Sequence, residues 1–339
     1  MRAARAALAA CTADAEEAAP AWHGGTLTIG TGPTNGVFNQ VGGGYADLIN
    51  RYLPGYEALA PPTNGAGENL QRLAIDDVQI AFTFADVAAD AAAGKGLFEG
   101  KPVQFRALAR IFNGQTHLVV RRNAGIKSIE DLRGKKVGTG PQNSGSEEVA
   151  VRLLTVAGLD LKRDITQVSA SLSQMTSSMR SGDLDAMFYS AGLPTTGIQG
   201  LFDQSPGVFT LVPLDKMGQA ISKAHPDIYA PGSIPKGMYG LADEVDTIAV
   251  PNLIVVPVDM PDDIAYRLTQ LLFDHQSELA AVHPEGGNFG RDIAPLVSPL
   301  ELHPARGDST ECPDRPGRNR RTGPPPDGPG VTSEPSGGV

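Results

Sequence analysis

A glycine-rich turn that links an apolar strand pattern to a helical pattern occurs twice in this chain of 339 residues. The first copy spans residues 29–36 (IGTGPTNG), and the second spans residues 137–144 (VGTGPQNS). Glycine lets a ligand approach the backbone closely, and the free N–H groups and positive dipole end of the following helix favour a carboxylate or phosphate. The repeat therefore predicts two similar lobes that each present an anion-binding loop.

Strand and helix patterns alternate in both halves of the chain. The expected strands span residues 26–30, 78–84, 136–139 and 184–190, and the expected helices span residues 37–52, 68–75, 85–93, 146–157, 172–180 and 195–202. This alternation predicts parallel sheets with helices on both faces. In such sheets ligands bind beyond the carboxyl ends of the strands, where the two glycine-rich turns lie.

Two apolar strands, at residues 117–121 and 247–256, bracket the second half and are expected to cross between the lobes. An amphipathic helix over residues 262–282 follows, and we expect it to pack back on the first lobe. The predicted fold is α/β, with two doubly wound lobes joined by a two-strand hinge that permits closure around a ligand. The predicted lobes comprise residues 26–116 plus 247–304 and residues 117–246.

The two ends of the chain differ from the rest. Residues 1–12 carry two arginines, a short Ala/Leu run and Leu-Ala-Ala-Cys, which resembles the end of a bacterial lipoprotein signal with Cys11 as the lipidated residue. The apolar stretch is shorter than the roughly 7 to 15 residues of a working signal core, so we expect residues 1–25 to be a signal remnant and tether. The alternative is an alanine-rich disordered leader.

Residues 305–339 are rich in Pro, Gly, Arg, Asp and Ser and contain no aromatic residue. Such a segment buries too little surface to offset its ordering entropy, so we predict a disordered tail. The abrupt change in composition is typical of a frameshifted or recombined end. We interpret the basic cluster at residues 315–321 as a solvated tail, the alternative being a nucleic-acid patch.

Composition excludes several classes of function. A net charge of −10 and a pI near 5.1 argue against nucleic acid as a partner, because phosphate binding needs clustered Lys and Arg. The two cysteines, Cys11 and Cys312, lie at opposite ends and indicate no disulfide framework. The six histidines lack metal-ligand spacing, and no dinucleotide or phosphate-loop fingerprint is present. We therefore expect no cofactor and no metal.

A set of short motifs runs along the chain: IGTGPTNGVF (29–38), NGAGENL (64–70), FAD (84–86), HLVVR (117–121), IKSIEDLRG (126–134), GPQNSGSE (140–147), AGLP (191–194) and AVPNL (249–253). In this order the motifs resemble the TAXI family of TRAP-transporter solute-binding proteins. The resemblance covers about residues 26–304. It implies a type II periplasmic-binding fold, capture of a small organic acid or amino acid such as glutamate or glutamine, and delivery to an ion-driven TRAP membrane component. It also implies an extracytoplasmic location; we expect a monomer.

The chain departs from the family pattern in two places. Pro33 and Asn35 stand where the family usually has a small residue and glycine. After residues 302–304, Ala305 and Arg306 replace the usual Gly-Ala and an aromatic-rich final helix. Loss of that helix would weaken the first lobe.

Helix starts provide the candidate anion-binding residues, because hydroxyls and free N–H groups converge there. These candidates are Thr34, Asn35, Gly36, Val37 and Phe38 in the first lobe, and Ser144, Gly145, Ser146 and Glu147 in the second. The alternative for the second loop is ordinary capping, because Ser144 and Glu147 have the spacing of a capping box.

Polar and aromatic residues near the other strands complete the candidate ligand-binding set: Asn64, Glu68, Asn69, Phe84, Asp86, Tyr189, Gly192 and Pro194. If the ligand carries an ammonium group, Asp86 or Glu68 would pair with it. The alternative is that Asp86 caps a helix and Glu68 is exposed. Tyr189 either covers the ligand or is a buried core aromatic.

Two other classes of function remain open from the sequence. An enzyme on the same two-lobed fold would need an acid, base or nucleophile in the cleft, and only Glu68, Asp86 and Glu147 are available, with no histidine near them in sequence. A ligand-sensing module of a regulator would need a DNA-binding segment, and no helix-turn-helix pattern precedes residue 26. The favoured interpretation is a receptor and not an enzyme.

Overall fold

The structure of the protein is a computed structural model that describes residues 21–225, 228–298, 300–301 and 303. The predicted lipidation residue Cys11 and the predicted tail at residues 305–339 lie outside the described residues, as does nearly all of the predicted signal remnant. Only its last residues are described, and these form a short 3-10 turn at Trp22–Gly25.

One sheet of ten strands runs through the described residues. Its strand order is β2-β1-β3-β10-β4-β7-β5-β6, with β8 beside β4 and β9 beside β10. The strands are β1 (Thr26–Gly30), β2 (Glu57–Leu59), β3 (Ile80–Phe84), β4 (Phe105–Arg121), β5 (Lys136–Gly140), β6 (Thr166–Ser169), β7 (Ala186–Ala191), β8 (Phe209–Leu211), β9 (Ala230–Ile234) and β10 (Val245–Pro257).

Nine α-helices occur in the same described ranges and cover the sheet. They are α1 (Val37–Tyr52), α2 (Ala66–Leu73), α3 (Ala85–Ala93), α4 (Gly145–Val156), α5 (Leu172–Ser181), α6 (Thr196–Asp203), α7 (Asp215–Ala224), α8 (Asp262–Asp274) and α9 (Gln276–Val282). None of these helices is long and apolar enough to cross a bilayer.

The two halves of the sheet repeat one arrangement. In the first lobe β1 pairs in parallel with β2 and β3, and in the second lobe β5 pairs in parallel with β6 and β7. Each parallel set is then closed by an antiparallel strand, β10 beside β3 and β4 beside β7. The predicted fold class, two doubly wound α/β lobes joined by two strands, is confirmed.

The two strands that join the lobes are longer than the sequence pattern indicates. In β4 the first half pairs with β10, and residues 115–120 pair with β7. In β10 residues 245–249 pair with β9, and residues 252–255 pair with β3. Since both strands belong to both lobes, a small change in their twist reorients one lobe against the other.

The helix predicted at residues 262–282 packs on the first lobe, where the Tyr45 hydroxyl of α1 donates to the Leu268 carbonyl at 2.8 Å. The prediction of one continuous helix is wrong, because α8 ends at Asp274 and α9 begins at Gln276. At the break His275 has φ −114° and ψ 25°, outside helical values. Its ring stacks on Tyr52 with centroids 3.8 Å apart and contacts Glu278 through Nδ1. These side-chain contacts hold the non-helical residue in place.

Candidate functional site

The two glycine-rich turns have the same backbone geometry. Asn35 and Asn143 both adopt left-handed conformations, with φ of 67° and 61°. The following amide closes each turn: Gly36 N–H donates to the Pro33 carbonyl at 2.9 Å, and Ser144 N–H donates to the Pro141 carbonyl at 3.1 Å. Asparagine tolerates this conformation better than most residues. The repeat seen in sequence is therefore a repeat in three dimensions, and it starts α1 and α4 alike.

Both turns face one cavity between the lobes. The cavity has a volume of about 390 Å³, counted between the protein atoms and including the part that opens to solvent. A space of this size suits a small ligand. The described residues that line it are Gly32, Pro33, Gly36, Val37, Phe38, Asn64, Gly65, Ala66, Phe84, Pro141, Ser144, Gly145, Ser146, Tyr189, Ser190, Ala191 and Gly192.

Three helix N-termini contribute to this lining: α1 through Val37 and Phe38, α2 through Ala66, and α4 through Gly145 and Ser146. The backbone N–H groups of these five residues donate no hydrogen bond to another described residue. The first N–H groups of a helix have no partner inside the helix, and they carry its positive dipole end. The cavity wall is therefore rich in unpaired donors, although none of the donors is a charged side chain.

The Tyr189 hydroxyl is a further donor at the cavity. The side chain is 4% exposed, and the hydroxyl makes no hydrogen bond to another residue that the structure describes. It lies 3.1 Å from the position a Cβ atom on Gly36 would occupy, so it faces the start of α1. Burial raises the pKa of Tyr189, and the neutral hydroxyl keeps its proton for donation.

Aromatic rings form the apolar part of the wall. The ring of Phe38 contacts those of Phe82 and Phe84, with centroid distances of 5.4 and 5.6 Å. Gly145 of the second lobe lies against the Phe84 ring so closely that a Cβ atom there would be 2.6 Å from it. The lobes are thus in contact across the cavity, and the site is closed.

Ten residues of the predicted ligand-binding set line this cavity: Gly36, Val37, Phe38, Asn64, Phe84, Ser144, Gly145, Ser146, Tyr189 and Gly192. They come from both lobes, as the repeated turns predict. Ser144 also accepts a hydrogen bond from Glu147 N–H through its hydroxyl at 3.1 Å, so part of its role is the capping that was the alternative interpretation.

Thr34, Asn35 and Glu68 do not line the cavity. Thr34 and Asn35 are exposed, because the turn directs Gly36 and α1 inward and leaves its own tip in solvent. Thr34 and Glu68 line a shallow depression at the rim that shares Pro33 and Asn64 with the cavity. The Glu68 carboxylate accepts from Asn64 N–H at 2.9 Å, so it stabilises the loop before α2.

Asn69 and Asp86 are fully buried and engaged by protein groups. The Asn69 amide donates to the carbonyls of Thr31 and Phe82 at 2.7 and 2.8 Å, which joins α2 to the turn after β1 and to the middle of β3. Asp86 forms an ion pair with Arg152 of the second lobe at 2.6 Å. Neither side chain lines the cavity. The Asp86 carboxylate also accepts from Val87 N–H in the first turn of α3 at 2.8 Å, so Asp86 both stabilises the start of its own helix and pairs with the second lobe.

Glu147 and Pro194 are also held outside the cavity. The Glu147 carboxylate accepts from Asn143 N–H at 2.8 Å and contacts Ser169, so it supports the second turn from behind. The Leu193–Pro194 peptide bond is cis, and the Pro194 carbonyl contacts the His283 ring of the first lobe at 2.9 Å.

Sequence reasoning missed seven of the lining residues: Gly32, Pro33, Gly65, Ala66, Pro141, Ser190 and Ala191. The sequence contains a signal for four of them. Residues 64–67 (NGAG) form a third glycine turn before a helix, and Gly65 has φ 114°. Ser190 and Ala191 end β7, at the carboxyl end where ligands of parallel sheets bind.

The lining offers hydrogen bonds and apolar surface but no metal or acid–base centre. Within the described ranges no group of three His, Cys, Asp or Glu side chains could hold a metal ion. His117 contacts the Tyr189 carbonyl and the Tyr239 hydroxyl at 3.0 and 3.1 Å, behind the wall. No lining serine has a hydrogen bond to a histidine among the described residues.

Two α/β lobes that are joined by crossing strands and meet at a small cavity form an architecture that can close around a ligand by a hinge motion. Residues 29–306 match the model of the NMT1-like family. Because the match covers most of the chain, the protein belongs to the NMT1-like family.

Solved structures share the fold at low sequence identity. The binding protein component of an ABC phosphonate transporter from Pseudomonas aeruginosa has a TM-score of 0.52 and 13% identity, over 78% of this chain and 79% of that chain. A protein from Bordetella bronchiseptica RB50 has a TM-score of 0.51 and 17% identity, over 77% and 76%. An ancestral arginine-binding protein bound to arginine has a TM-score of 0.48 and 18% identity, over 78% and 99%. At these identities the first two comparisons show a shared fold.

Proposed function

We propose that this protein is an extracytoplasmic solute receptor that closes its two lobes over a small carboxylate or amino acid and delivers it to a membrane transporter. The observation that carries the proposal is the convergence of three helix N-termini with unpaired N–H groups on one closed cavity. Aligned N–H dipoles bind an anion without a cationic side chain, and closure places these hydrogen bonds in a lower dielectric.

The hinged fold supports this function. The two strands β4 and β10 connect lobes that approximate residues 26–116 plus 247–304 and residues 117–246. Opening about these strands would expose the cavity, and closing would exclude water from it. The fold shared with a binding protein component of a phosphonate transporter points in the same direction.

The resemblance of the motifs to the TAXI family indicates the partner and the ligand. On this basis the partner is the ion-driven membrane component of a TRAP transporter, and the ligand is a small carboxylate or an amino acid such as glutamate or glutamine. Deleting the gene in its source organism should abolish uptake of the ligand. Collapse of the ion gradient should stop uptake in the intact strain. Uptake through an ATP-driven partner would instead continue as long as ATP remains.

Binding without chemical conversion fits the lining. Tyr189 is the one ionisable side chain among the described lining residues, and its pKa is raised by burial. The function is therefore that of a receptor. Ligand recovered unchanged after prolonged incubation with the protein agrees with this, and a converted product would contradict it.

Thermal unfolding in the presence of organic acids and amino acids tests the proposal directly. A ligand at a hundred-fold excess over its Kd should stabilise the full-length protein by about 2.7 kcal/mol. Ala191→Phe, which fills the cavity, should lose this stabilisation, while Ala93→Phe on the exposed end of α3 should keep it. If no acid stabilises the wild-type protein, the proposed receptor function is wrong.

A further inference from the structure

We infer that the ligand of this site is a small organic anion without an ammonium group, so that an acid binds better than the corresponding amino acid. This inference rests on the proposed receptor function and narrows its ligand class. It comes from the imbalance of charge around the cavity, where positive helix ends meet no negative side chain.

The groups that would bind an anion are backbone N–H groups and a hydroxyl. The starts of α1, α2 and α4 present unpaired N–H groups, and α1 and α4 are 16 and 12 residues long. The Tyr189 hydroxyl, unpartnered among described residues and 4% exposed, adds a donor that is independent of the helices. Together these groups offer an anion several hydrogen bonds in a closed space.

No acidic side chain among the described lining residues accompanies these donors. The lining contains no Asp or Glu side chain among the described residues, and it contains no Lys, Arg or His. An ammonium group transferred from water into such a site would lose its hydration without gaining an ionic partner. Carbonyl oxygens and serine hydroxyls accept hydrogen bonds, but they do not neutralise a full positive charge.

Two acidic residues near the lining, Glu68 at its rim and Asp86 close to Phe84 in sequence, are already satisfied by protein donors. Glu68 at the rim accepts from Asn64 N–H and lies 3.9 Å from Arg72. The Asp86 carboxylate is paired with Arg152 at 2.6 Å and also accepts from the Tyr229 hydroxyl. Turning either carboxylate toward a ligand would break these contacts.

Two further acids lie directly behind the wall. Glu147 accepts from the Asn143 amide and from Gln167 at 2.8 and 3.2 Å. Glu285 accepts from Leu193 N–H and from the Asn288 amide at 2.6 and 2.7 Å. Their donors belong to the loops that support the cavity wall, so these carboxylates have a structural role. A cationic group of a ligand would therefore find no free carboxylate in the cavity.

Matched pairs of ligands, measured by calorimetry on the full-length protein, test the inference. The pairs are glutarate and glutamate, succinate and aspartate, and butyrate and 2-aminobutyrate. In whichever pair binds, the acid without the amino group should bind at least about tenfold more tightly, which corresponds to about 1.4 kcal/mol. An amino acid that binds as tightly as its acid overturns the inference and leaves the receptor function intact. If no member of any pair binds, the proposed carboxylate receptor itself is wrong.

Two variants test whether the missing negative charge sets the preference for the acid, using the pair of ligands that binds. Asn64→Asp adds a carboxylate at the cavity rim, and it should shift the preference toward the amino acid by about threefold. Asn123→Asp, the same change at an exposed residue of the second lobe, should leave the preference unchanged. An equal shift in both variants would mean that general surface charge, and not the lining, sets the preference.

Tyr189→Phe removes the unpartnered hydroxyl without breaking a hydrogen bond to a described residue. Its affinity for the acid should fall about tenfold, as expected for a lost hydrogen bond to a charged group, with the melting temperature of the free protein retained. An unchanged affinity would overturn the role of this hydroxyl as a donor to the anion.

Discussion

Arg152 on α4 forms an ion pair with Asp86 on α3, and this contact joins the two lobes beside the candidate site. The Arg152 Nη1 to Asp86 Oδ2 distance is 2.6 Å, and the two side chains are 10% and 0% exposed. Arg152 also contacts Asp90 and the Tyr229 hydroxyl. Burial lowers the pKa of Arg152, but Asp86, Tyr229 and Asp90 together outweigh this and raise it, so the guanidinium stays charged.

Arg152→Met should weaken ligand binding by favouring the open state. In the closed variant Asp86 would be buried without its cation, and breaking a buried pair in this way costs about 3–5 kcal/mol. In an open form water can solvate the Asp86 carboxylate. The loss of the ion pair therefore destabilises mainly the closed state. Calorimetry should show at least a tenfold loss of affinity, and small-angle scattering should show a larger radius of gyration for the free protein.

The control for this prediction is Arg163→Met, which removes an arginine whose side chain is 77% exposed. It should keep wild-type affinity. Adding Asp86→Asn to Arg152→Met removes the unpaired charge and should recover part of the lost affinity. If the double variant binds no better than Arg152→Met, the buried charge is not the cause of the loss.

His117 should make the protein less stable at acidic pH. Burial lowers the pKa of His117 from 6.5 to about 4. Its Nδ1–H donates to the Tyr189 carbonyl, so the neutral Nε2 accepts from the Tyr239 hydroxyl. Below pH 6.5 this histidine binds a proton in the unfolded chain, whereas in the folded protein it stays neutral down to about pH 4. The free energy of unfolding therefore falls progressively between pH 6.5 and about pH 4. The total loss is about 3 kcal/mol.

Urea unfolding between pH 4 and pH 8 measures this dependence. His117→Gln should flatten the slope between pH 6.5 and 4, because glutamine can make the same two hydrogen bonds without titrating. His23→Gln, at an exposed position, should retain the wild-type slope. A slope that is the same in all three proteins would show that another group causes the loss.

The repeated turns allow much of the fold to be predicted from sequence, because local chemistry specifies them. Asn35 and Asn143 each adopt a left-handed conformation just before a helix start, and asparagine is one of the few residues that tolerates this conformation. The strands and helices that follow have strong apolar periodicity, and their observed bounds lie within a few residues of the predicted ones. The apolar periodicity does not predict the break between α8 and α9 at His275, since this break depends on stacking against Tyr52 of another helix.

The candidate site could be predicted only where the backbone defines it. Gly36 and Gly145 follow directly from the turns, and both line the cavity. Asn69 and Asp86 are polar residues near strand ends in the sequence, but in the structure their side chains bind the Phe82 carbonyl and Arg152. A side chain's partners depend on tertiary packing, which a single sequence does not encode locally.

Asn69→Ala should destabilise the protein without removing a direct ligand contact. The change leaves the buried carbonyls of Thr31 and Phe82 without this donor, and it removes the acceptor of the Thr63 hydroxyl. Unsatisfied buried groups of this kind cost about 1–3 kcal/mol each. The melting temperature should fall clearly, and the ligand should still bind the folded fraction with an affinity within about threefold of wild type. A variant of wild-type stability that binds no ligand would return Asn69 to the set of ligand-binding residues.

Gly145→Ala should prevent full closure of the lobes. An added Cβ atom would lie 2.6 Å from the Phe84 ring in the closed structure, far inside normal contact distance, whereas an open form separates the two residues. Affinity should fall at least about tenfold, and ligand should no longer reduce the radius of gyration in solution. Gly43→Ala, where no atom lies within 4 Å, should bind like wild type. Adding Phe84→Leu to Gly145→Ala should restore part of the affinity by making room at the contact. If Gly145→Ala alone binds and closes normally, the contact between Gly145 and Phe84 does not limit closure.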